Sequence, residues 1–190
     1  MTSSKFSDKI GSSYKNITIS GGVGVGSTTL MKNLTPILEP LGFTLTSTGA
    51  LMREKMHEFK NPRADLVNDT IHEAVEKDVY GILASGKTYV VEGWLAGFIA
   101  RKIDHTLRVL VYASNDAVRI DRIINRDSMT VKEARHMIHE REKVNFETWK
   151  RIYGDYDFWD PAYYHLTIDT CQCGPQESVG KVLDALGYSG

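Results

Sequence analysis

A glycine-rich stretch near the start of the chain limits the possible folds more than any other feature. Residues 20–29 read SGGVGVGSTT, directly after the β-forming run Ile17–Ile19 and before a segment with helical character. A buried strand that turns through glycines into a helix is the typical opening of an α/β unit with a parallel sheet. The stretch also nearly fits the pattern G-x-x-x-x-G-K-[ST], with Gly21, Gly26 and Thr28 in register.

The glycines of this stretch predict a binding site for phosphate groups. Glycine lets the backbone turn tightly and point several N–H groups inward, and the N-terminus of the following helix adds its positive dipole end. The hydroxyl of Thr28 would coordinate Mg²⁺. The residues expected to hold the phosphates are Gly21, Gly22, Val23, Gly24, Val25, Gly26, Ser27, Thr28 and Thr29.

Ser27 stands where the phosphate-loop pattern has a lysine. That lysine stabilises charge on the phosphates in the transition state, and removing one such donor typically costs about 10²–10³ in rate. A serine hydroxyl keeps one hydrogen bond but carries no charge, so fast chemistry needs a cation from another segment. Lys32 lies five residues further along the helix and is not expected to reach the phosphates.

Short β-rich runs alternate with longer helical patterns over the rest of the chain. The predicted strands are 16–20, 43–47, 88–92, 107–112 and 165–169. The predicted helices are about 27–40, 49–60, 64–85, 115–126, 130–152 and 175–187. Several strands are almost continuously apolar, which is typical of strands buried on both faces. The alternation predicts an α/β fold with helices on both faces of a parallel sheet.

The size and charge of the chain limit the classes of protein to which it can belong. Its 190 residues predict a single domain at 15–190 after a flexible leader at 1–14. The net charge of −1 argues against nucleic acid as the main partner. No apolar run approaches the roughly 18 residues of a membrane-spanning helix, and the polar, serine-rich start is unlike a signal peptide. We therefore expect a cytoplasmic protein without a membrane partner, in which Cys171 and Cys173 are reduced thiols.

Arginines recur along one helix face in the second half of the chain. Arg119, Arg122 and Arg126 are spaced i, i+3 and i+7, which puts them on one face. The next helix begins at a T-x-x-E capping box and carries further arginines, namely Arg135, Arg141 and Arg151. Two such helices can form a lid that closes over a triphosphate and supplies cations to the transferred group. The alternative is a solvated helix pair held by ion pairs with neighbouring acidic residues.

These features together resemble the P-loop nucleoside monophosphate kinases, and most closely the short cytidylate kinases of archaeal type. The resemblance covers about residues 15–170 and is carried by ITISGGVGVGSTT at 17–29, STGALMRE at 47–54, VVEGWLAG at 90–97, RIDRIINRD at 119–127, EREKVNFETWKRIYG at 140–154 and LTIDT at 166–170. It implies a P-loop NTPase fold, a three-layer α/β/α structure with a five-stranded parallel sheet of order 2-3-1-4-5. It also implies acceptor-binding helices at about 49–85 and a helical lid at about 119–141.

The same resemblance implies an activity and an acceptor site. The family transfers the γ-phosphoryl group of ATP to CMP or dCMP with Mg²⁺. Ser47, Thr48 and Gly49 match the turn that receives the monophosphate nucleotide. Arg53 matches the arginine that holds its α-phosphate. Small nucleotides are therefore the expected partners, and a monomer is the expected form.

The resemblance also assigns residues around the transferred phosphoryl group. Glu92 and Gly93 match the end of the third strand, beside that group. Arg122 and Arg126 match the lid arginines, and Arg141 matches an arginine on the following helix. These arginines, with Ser27 of the loop, are the expected catalytic residues.

The chain departs from the family pattern at two positions. Ser27 replaces the loop lysine, and Trp94 stands where the family has an arginine after E-G, a residue that helps to fix the acceptor. Arg101 lies one or two helical turns further on and could compensate. The departures leave two alternatives open: a kinase for another small acceptor, or a catalytically weak nucleotide-binding pseudoenzyme.

Overall fold

Five short strands form one parallel sheet in the computed structural model, which describes residues 13–58 and 69–189. The strands are β1 Asn16–Ser20, β2 Thr44–Ser47, β3 Tyr89–Glu92, β4 Thr106–Tyr112 and β5 Leu166–Asp169. They lie in the order β2-β3-β1-β4-β5, and all four pairings are parallel. The predicted strand order is therefore confirmed. All five residues of the central strand β1 are buried, as expected for a strand covered on both faces.

Seven α-helices accompany the sheet in the described part of the chain. They are α1 Ser27–Leu38, α2 Thr48–Glu58, α3 Asp69–Ala84, α4 Ala96–Ile99, α5 Asp116–Asp127, α6 Val131–Tyr153 and α7 Pro175–Ala185. Six of them match predicted helices, although the predicted parts at 59–60 and 64–68 lie outside the described residues. The short helix α4 was not predicted, because four apolar residues are too few to show a helical period.

Helices cover both faces of the sheet, as predicted. On one face, Leu34 of α1 and Val182 of α7 belong to a buried cluster with Ile17 and Val109 of the strands. On the other face, Val79 of α3 packs in a second cluster with β3 and α4. The result is the three-layer α/β/α arrangement of the P-loop NTPase fold.

The lid helices, as α5 and α6 are called below, pack on the glycine loop rather than on the sheet. Val23 of the loop forms a buried cluster with Ile123 of α5 and Ile138 of α6. The predicted capping box at the start of α6 is present, since the Thr130 hydroxyl accepts from the Glu133 N–H and the Glu133 carboxylate accepts from the Thr130 N–H. The two helices run to Tyr153 and so extend beyond the predicted lid at 119–141.

The N-terminal leader predicted at 1–14 lies, up to residue 12, outside the described residues. Its last residue, Tyr14, packs against the main buried cluster, and its ring centre lies 5.3 Å from that of His165. None of the helices in the described ranges is both long enough and apolar enough to cross a membrane.

Candidate active site

The carboxyl ends of β1 and β3 open into a cleft of about 1300 Å³. Parallel sheets typically bind ligands in a crevice at this edge. The glycine loop, the start of α2, the end of β3 and both lid helices contribute to the wall. The loop residues that line it are Gly22, Val23, Gly24, Gly26, Ser27, Thr28 and Thr29. Gly21 and Val25, also predicted for this site, are buried and are not part of the lining.

The glycine loop turns into α1 at Gly26, whose φ of 100° lies in the left-handed region that glycine tolerates. Gly26 is the N-cap of α1, and none of the described side chains caps this helix start. The N–H groups of the first turn are therefore left for another acceptor. Together with the dipole of the 12-residue helix, they favour an anion such as a phosphate at this end of the cleft.

The hydroxyls of Ser27 and Thr28 both meet the carboxylate of Glu92 at the end of β3. Ser27 Oγ donates to Glu92 Oε1 at 2.8 Å, and Thr28 Oγ1 lies 3.5 Å from the same oxygen. Burial raises the pKa of Glu92, while the hydrogen bonds from the two hydroxyls act in the opposite direction. Position 27 thus faces a carboxylate. The oxygens of Thr28 and Glu92 are of the type that Mg²⁺ prefers.

Arg122 of α5 is a cation that the structure places directly against the glycine loop. Its Nη1 donates to the carbonyls of Gly24 and Val25 at 3.1 and 3.2 Å. The same nitrogen donates to Oγ1 of Thr170 at 2.8 Å, and Nη2 donates to the Thr170 carbonyl at 2.9 Å. Arg122 is half-buried and lines the cleft. Its guanidinium therefore joins the loop to the segment after β5 and brings positive charge to a loop that lacks lysine.

Three further cations line the cleft. Arg126 of α5 is exposed and pairs with Asp127, with 2.6 Å between Nη2 and Oδ2. Arg141 of α6 lies with its Cζ 5.5 Å from the ring centre of Trp94. Lys32 also lines the cleft, because it follows Thr28 by one turn on the same face of α1. Lys32 was not predicted from the sequence to take part in this site.

The lid helices are joined to each other beside the loop. Arg119 of α5 forms an ion pair with Glu142 of α6, and its Nε donates to the carbonyl of Val23 at 3.0 Å. A Cβ added at Gly22 would lie 2.6 Å from Oε1 of Glu142. A glycine at position 22 therefore lets the lid rest against the loop.

The turn from β2 into α2 forms the wall that the sequence assigned to the acceptor. Thr48 and Gly49 line the cleft. Ser47 does not, and its Oγ accepts a hydrogen bond from the N–H of Ala50 at 3.1 Å, which fixes the start of the helix. A Cβ on Gly93 would clash with the side chain of Thr48, so glycine at 93 lets this turn approach the end of β3. Glu92 and Gly93 both line the cleft.

Of the two arginines predicted for the acceptor, Arg53 lies beside the Thr48–Gly49 turn, with its Nη1 3.7 Å from where a Cβ on Gly49 would be, and Arg101 lies elsewhere. Arg53 is exposed on α2 and is not part of the cleft lining. Arg101 lines a second cavity of about 400 Å³. Its Nη1 donates to the Phe98 carbonyl at 2.7 Å, and its Cζ lies 3.8 Å from the centre of the Phe98 ring. These contacts hold Arg101 away from the cleft, so the expectation that it compensates for Trp94 is corrected.

All three tryptophans of the chain meet beside the cleft. The ring centre of Trp94 lies 5.9 Å from that of Trp149 and 6.2 Å from that of Trp159. Trp159 Nε1 donates to the carbonyl of Trp94 at 3.0 Å. Trp94 is half-buried and lines the cleft together with Trp149. It therefore packs against the lid helix α6 and still contributes to the cleft wall.

Helix α3 supplies a wall that the sequence did not assign. His72, Val75 and Glu76 line the cleft. Burial lowers the pKa of His72 and raises the pKa of Glu76 to about 8. The signal in the sequence is weak: two polar residues border the buried stripe of Ile71, Val75 and Val79, and no motif marks them.

Several other residues that line the cleft were also not predicted from the sequence. They are Met52, Asn145, Thr148, Thr170 and Cys173. Cys171 and Cys173 are both free thiols, as expected. Within residues 13–58 and 69–189, no group of three or more His, Cys, Asp or Glu side chains could hold a metal ion.

Comparison with known proteins gives a consistent result. Residues 45–172 match the model of the cytidylate kinase-like family. The chain is 33% identical to a cytidylate kinase of Methanopyrus kandleri, over 85% of this chain and 88% of that one. It is 32% identical to a cytidylate kinase of Pyrococcus abyssi, over 90% and 93% of the two chains. Among solved structures, a shikimate kinase from Acinetobacter baumannii shares the fold, with a TM-score of 0.54, 17% identity and coverage of 90% and 92%.

Proposed function

The chain belongs to the cytidylate kinase-like family and is a phosphotransferase of the P-loop kinases, and we propose that it transfers the γ-phosphoryl group of ATP to CMP or dCMP. One observation carries the proposal. A single cleft brings together the glycine loop, the Thr48–Gly49 turn and the arginines 122, 126 and 141. A volume of about 1300 Å³ exceeds the roughly 300–1000 Å³ of a typical ligand pocket, which suits two nucleotides bound together.

The ATP phosphates would lie on the glycine loop at the start of α1. The left-handed turn at Gly26 and the uncapped N–H groups of α1 make this end of the cleft suited to anions. Arg122 holds the loop carbonyls of Gly24 and Val25 in place and adds positive charge there. These features fit a triphosphate, even though Ser27 contributes no charge.

Mg²⁺ fits the oxygens of Thr28 and Glu92, whose Oγ1 and Oε1 atoms lie 3.5 Å apart. When bound, it would neutralise charge on the β- and γ-phosphates. Both side chains line the cleft. The carboxylate must be ionised to act as a ligand, so burial, which raises its pKa, works against this role at low pH.

In the proposed reaction an oxygen of the acceptor phosphate attacks the γ-phosphorus of ATP. The bond from that phosphorus to the bridging oxygen of ADP breaks, and ADP leaves with the electron pair. Charge moves between the oxygens during this exchange, so correctly placed cations lower the barrier. Arg126 and Arg141 line the cleft from the two lid helices and would supply such charge.

The acceptor would bind between α2 and α3. Thr48 and Gly49 at the start of α2 would receive its phosphate through hydroxyl and backbone groups. Arg53, whose Nη1 already lies beside Gly49, would join them by turning its exposed side chain into the cleft. Trp94 offers an aromatic surface in the same cleft. One chain supplies all of these residues, so the proposed reaction needs no group from a second chain.

A nucleotide-binding pseudoenzyme remains the alternative, and it rests on Ser27. Titration calorimetry with ATP and Mg²⁺, combined with an assay of ADP release in the presence of CMP, separates the two. ADP release that depends on CMP supports the kinase. Tight ATP binding without CMP-dependent ADP release would contradict it and favour the pseudoenzyme.

A further inference from the structure

Glu76 of α3 is the acidic side chain in the part of the cleft that the acceptor would occupy. We propose that the carboxyl group of Glu76 binds the Watson–Crick edge of the acceptor's cytosine base, an inference that rests on the proposed function. Glu76 would then be a base-binding residue that the phosphate-binding motifs do not indicate.

The position of Glu76 places it on the acceptor side of the cleft. It lies on α3, one turn after His72 and on the same helix face, and both line the cleft that Thr48 and Gly49 also line. α2 and α3 pack on each other, with Lys55 of α2 paired to Asp78 of α3 at 3.0 Å. An acceptor whose phosphate meets the start of α2 can therefore extend its base toward α3.

The carboxyl group of Glu76 has no partner within the described part of the chain. The side chain is half-buried, yet it takes part in no hydrogen bond or ion pair with the described residues. A buried polar group without a partner costs free energy, and such groups in native proteins are usually satisfied. A ligand that forms two hydrogen bonds with this carboxyl would remove that cost.

The surroundings of Glu76 favour its neutral form. Burial is the main cause that raises its pKa to about 8, and repulsion from Glu73 adds to it, while the charge of Arg101 acts in the opposite direction. The smaller cavity beside Glu76 is also lined by Glu73, Lys77, Tyr80, Arg101, Lys102 and Tyr153. The titratable groups that line the cleft with Glu76 are Lys32, His72, Glu92, Arg122, Arg126, Glu140, Arg141 and Cys173. Burial also lowers the pKa of His72, which favours the neutral form of the side chain one turn before Glu76.

A neutral carboxyl group matches the edge of cytosine. Its O–H can donate to the ring nitrogen N3, and its carbonyl oxygen can accept from the exocyclic amino group. An ionised carboxylate cannot donate, and its lone pairs would then face the lone pair of N3. Ionisation of Glu76 should therefore weaken the binding of CMP. Uracil can meet the same neutral carboxyl group with N3–H as donor and O4 as acceptor, so this contact alone does not separate CMP from UMP.

The test measures CMP binding to the full chain by calorimetry across pH. If only the neutral form of Glu76 binds, the Kd for CMP should rise about tenfold between about pH 7 and about pH 9, since the population of the competent form falls by that factor. Glu76→Gln is the decisive variant, because an amide can also donate to N3 and accept from the amino group but does not titrate. It should bind CMP with a Kd that stays flat over this range.

Two charge variants provide matched comparisons. Glu73→Gln removes a negative charge that raises the pKa of Glu76, so the rise in Kd should begin at lower pH. Arg101→Met removes a positive charge that lowers the pKa of Glu76, so the rise in the Kd for CMP should begin at higher pH. A merely structural role of Glu76 would not produce shifts of opposite sign.

The outcomes separate this inference from the proposed function. A flat profile for Glu76→Gln beside a rising profile for the wild type supports the inference. The same rise in both proteins, or no rise in the wild type, overturns it while the kinase proposal stands. CMP binding with the expected profile but without ADP release overturns only the kinase proposal, and no CMP binding at any pH overturns both.

Discussion

The hydroxyl of Ser27 donates a hydrogen bond of 2.8 Å to Oε1 of Glu92. This contact joins the residue that replaces the phosphate-loop lysine to the carboxylate at the end of β3. The loop has therefore lost its cation beside a carboxylate that is itself half-buried. Arg122 stands against the same loop from the lid side, which gives the site a different source of positive charge.

We expect Ser27→Lys to raise kcat/KM for phosphoryl transfer by about tenfold or more, because it restores a cation beside the phosphates. Steady-state assays with ATP, Mg²⁺ and CMP measure the change. Asn33→Lys adds the same charge to α1 outside the cleft and should leave the rate unchanged. An unchanged rate for Ser27→Lys, with ATP still bound, would mean that the missing lysine does not limit the enzyme.

We expect Glu92→Gln to lower kcat/KM by about a hundredfold, because the amide cannot replace an ionised ligand of Mg²⁺. Burial raises the pKa of Glu92, so the wild type should lose activity on the acid side at a higher pH than an exposed glutamate would cause. The measurement is the pH profile of kcat/KM for both proteins. In the variant, the loss of activity at low pH that protonation of Glu92 causes should be absent. A Glu92→Gln variant with the wild-type rate and an unchanged pH profile would refute this role.

We expect Arg122→Ala to reduce kcat/KM by about a hundredfold or more, since it removes a charge and four hydrogen bonds to the loop and Thr170. Thr170→Val removes only the hydroxyl partner and should have a smaller effect. Lys143→Ala removes an exposed charge from α6 and serves as the control. Equal activity of Arg122→Ala and Lys143→Ala would exclude a role for Arg122.

We expect Thr130→Ala to destabilise the protein by about 1 kcal/mol, because it removes the N-cap of the 23-residue helix α6. Chemical denaturation monitored by circular dichroism gives the free energy of unfolding. Lys132→Ala, an exposed change in the same turn, should alter it by only about a few tenths of a kcal/mol. A cap variant as stable as the control would show that the capping box does not hold α6.

The sheet and the loop could be predicted because their signals are local. The apolar run at β1 and the glycines after it fix a strand, a turn and a helix within about 20 residues. The capping box at Thr130 and the arginine spacing on α5 are equally local. Hydrophobic periodicity then locates most of the helices without any knowledge of their neighbours.

The side-chain partners could not be predicted, because tertiary packing decides them. Arg122 was placed on the lid, but its bonds to the loop carbonyls depend on how α5 docks. Arg101 is close to Trp94 in the sequence, yet its packing on Phe98 directs it to another cavity. Glu76 becomes a cleft residue only because α3 packs beside α2. No spacing in the sequence indicates that these residues come close to their partners in the folded chain.

The most direct test of the proposed activity is a competition assay with ATP, Mg²⁺ and an equal mixture of CMP, dCMP, UMP, AMP and GMP. With isotope-labelled AMP, because ATP itself yields ADP in every turnover, chromatography and mass detection at low conversion give the relative kcat/KM of every acceptor in one reaction. We expect CDP and dCDP to form in excess over the other diphosphates. Preferential formation of UDP, labelled ADP or GDP would contradict the assignment to cytidylate, and the absence of a diphosphate formed from any acceptor would contradict the kinase activity itself.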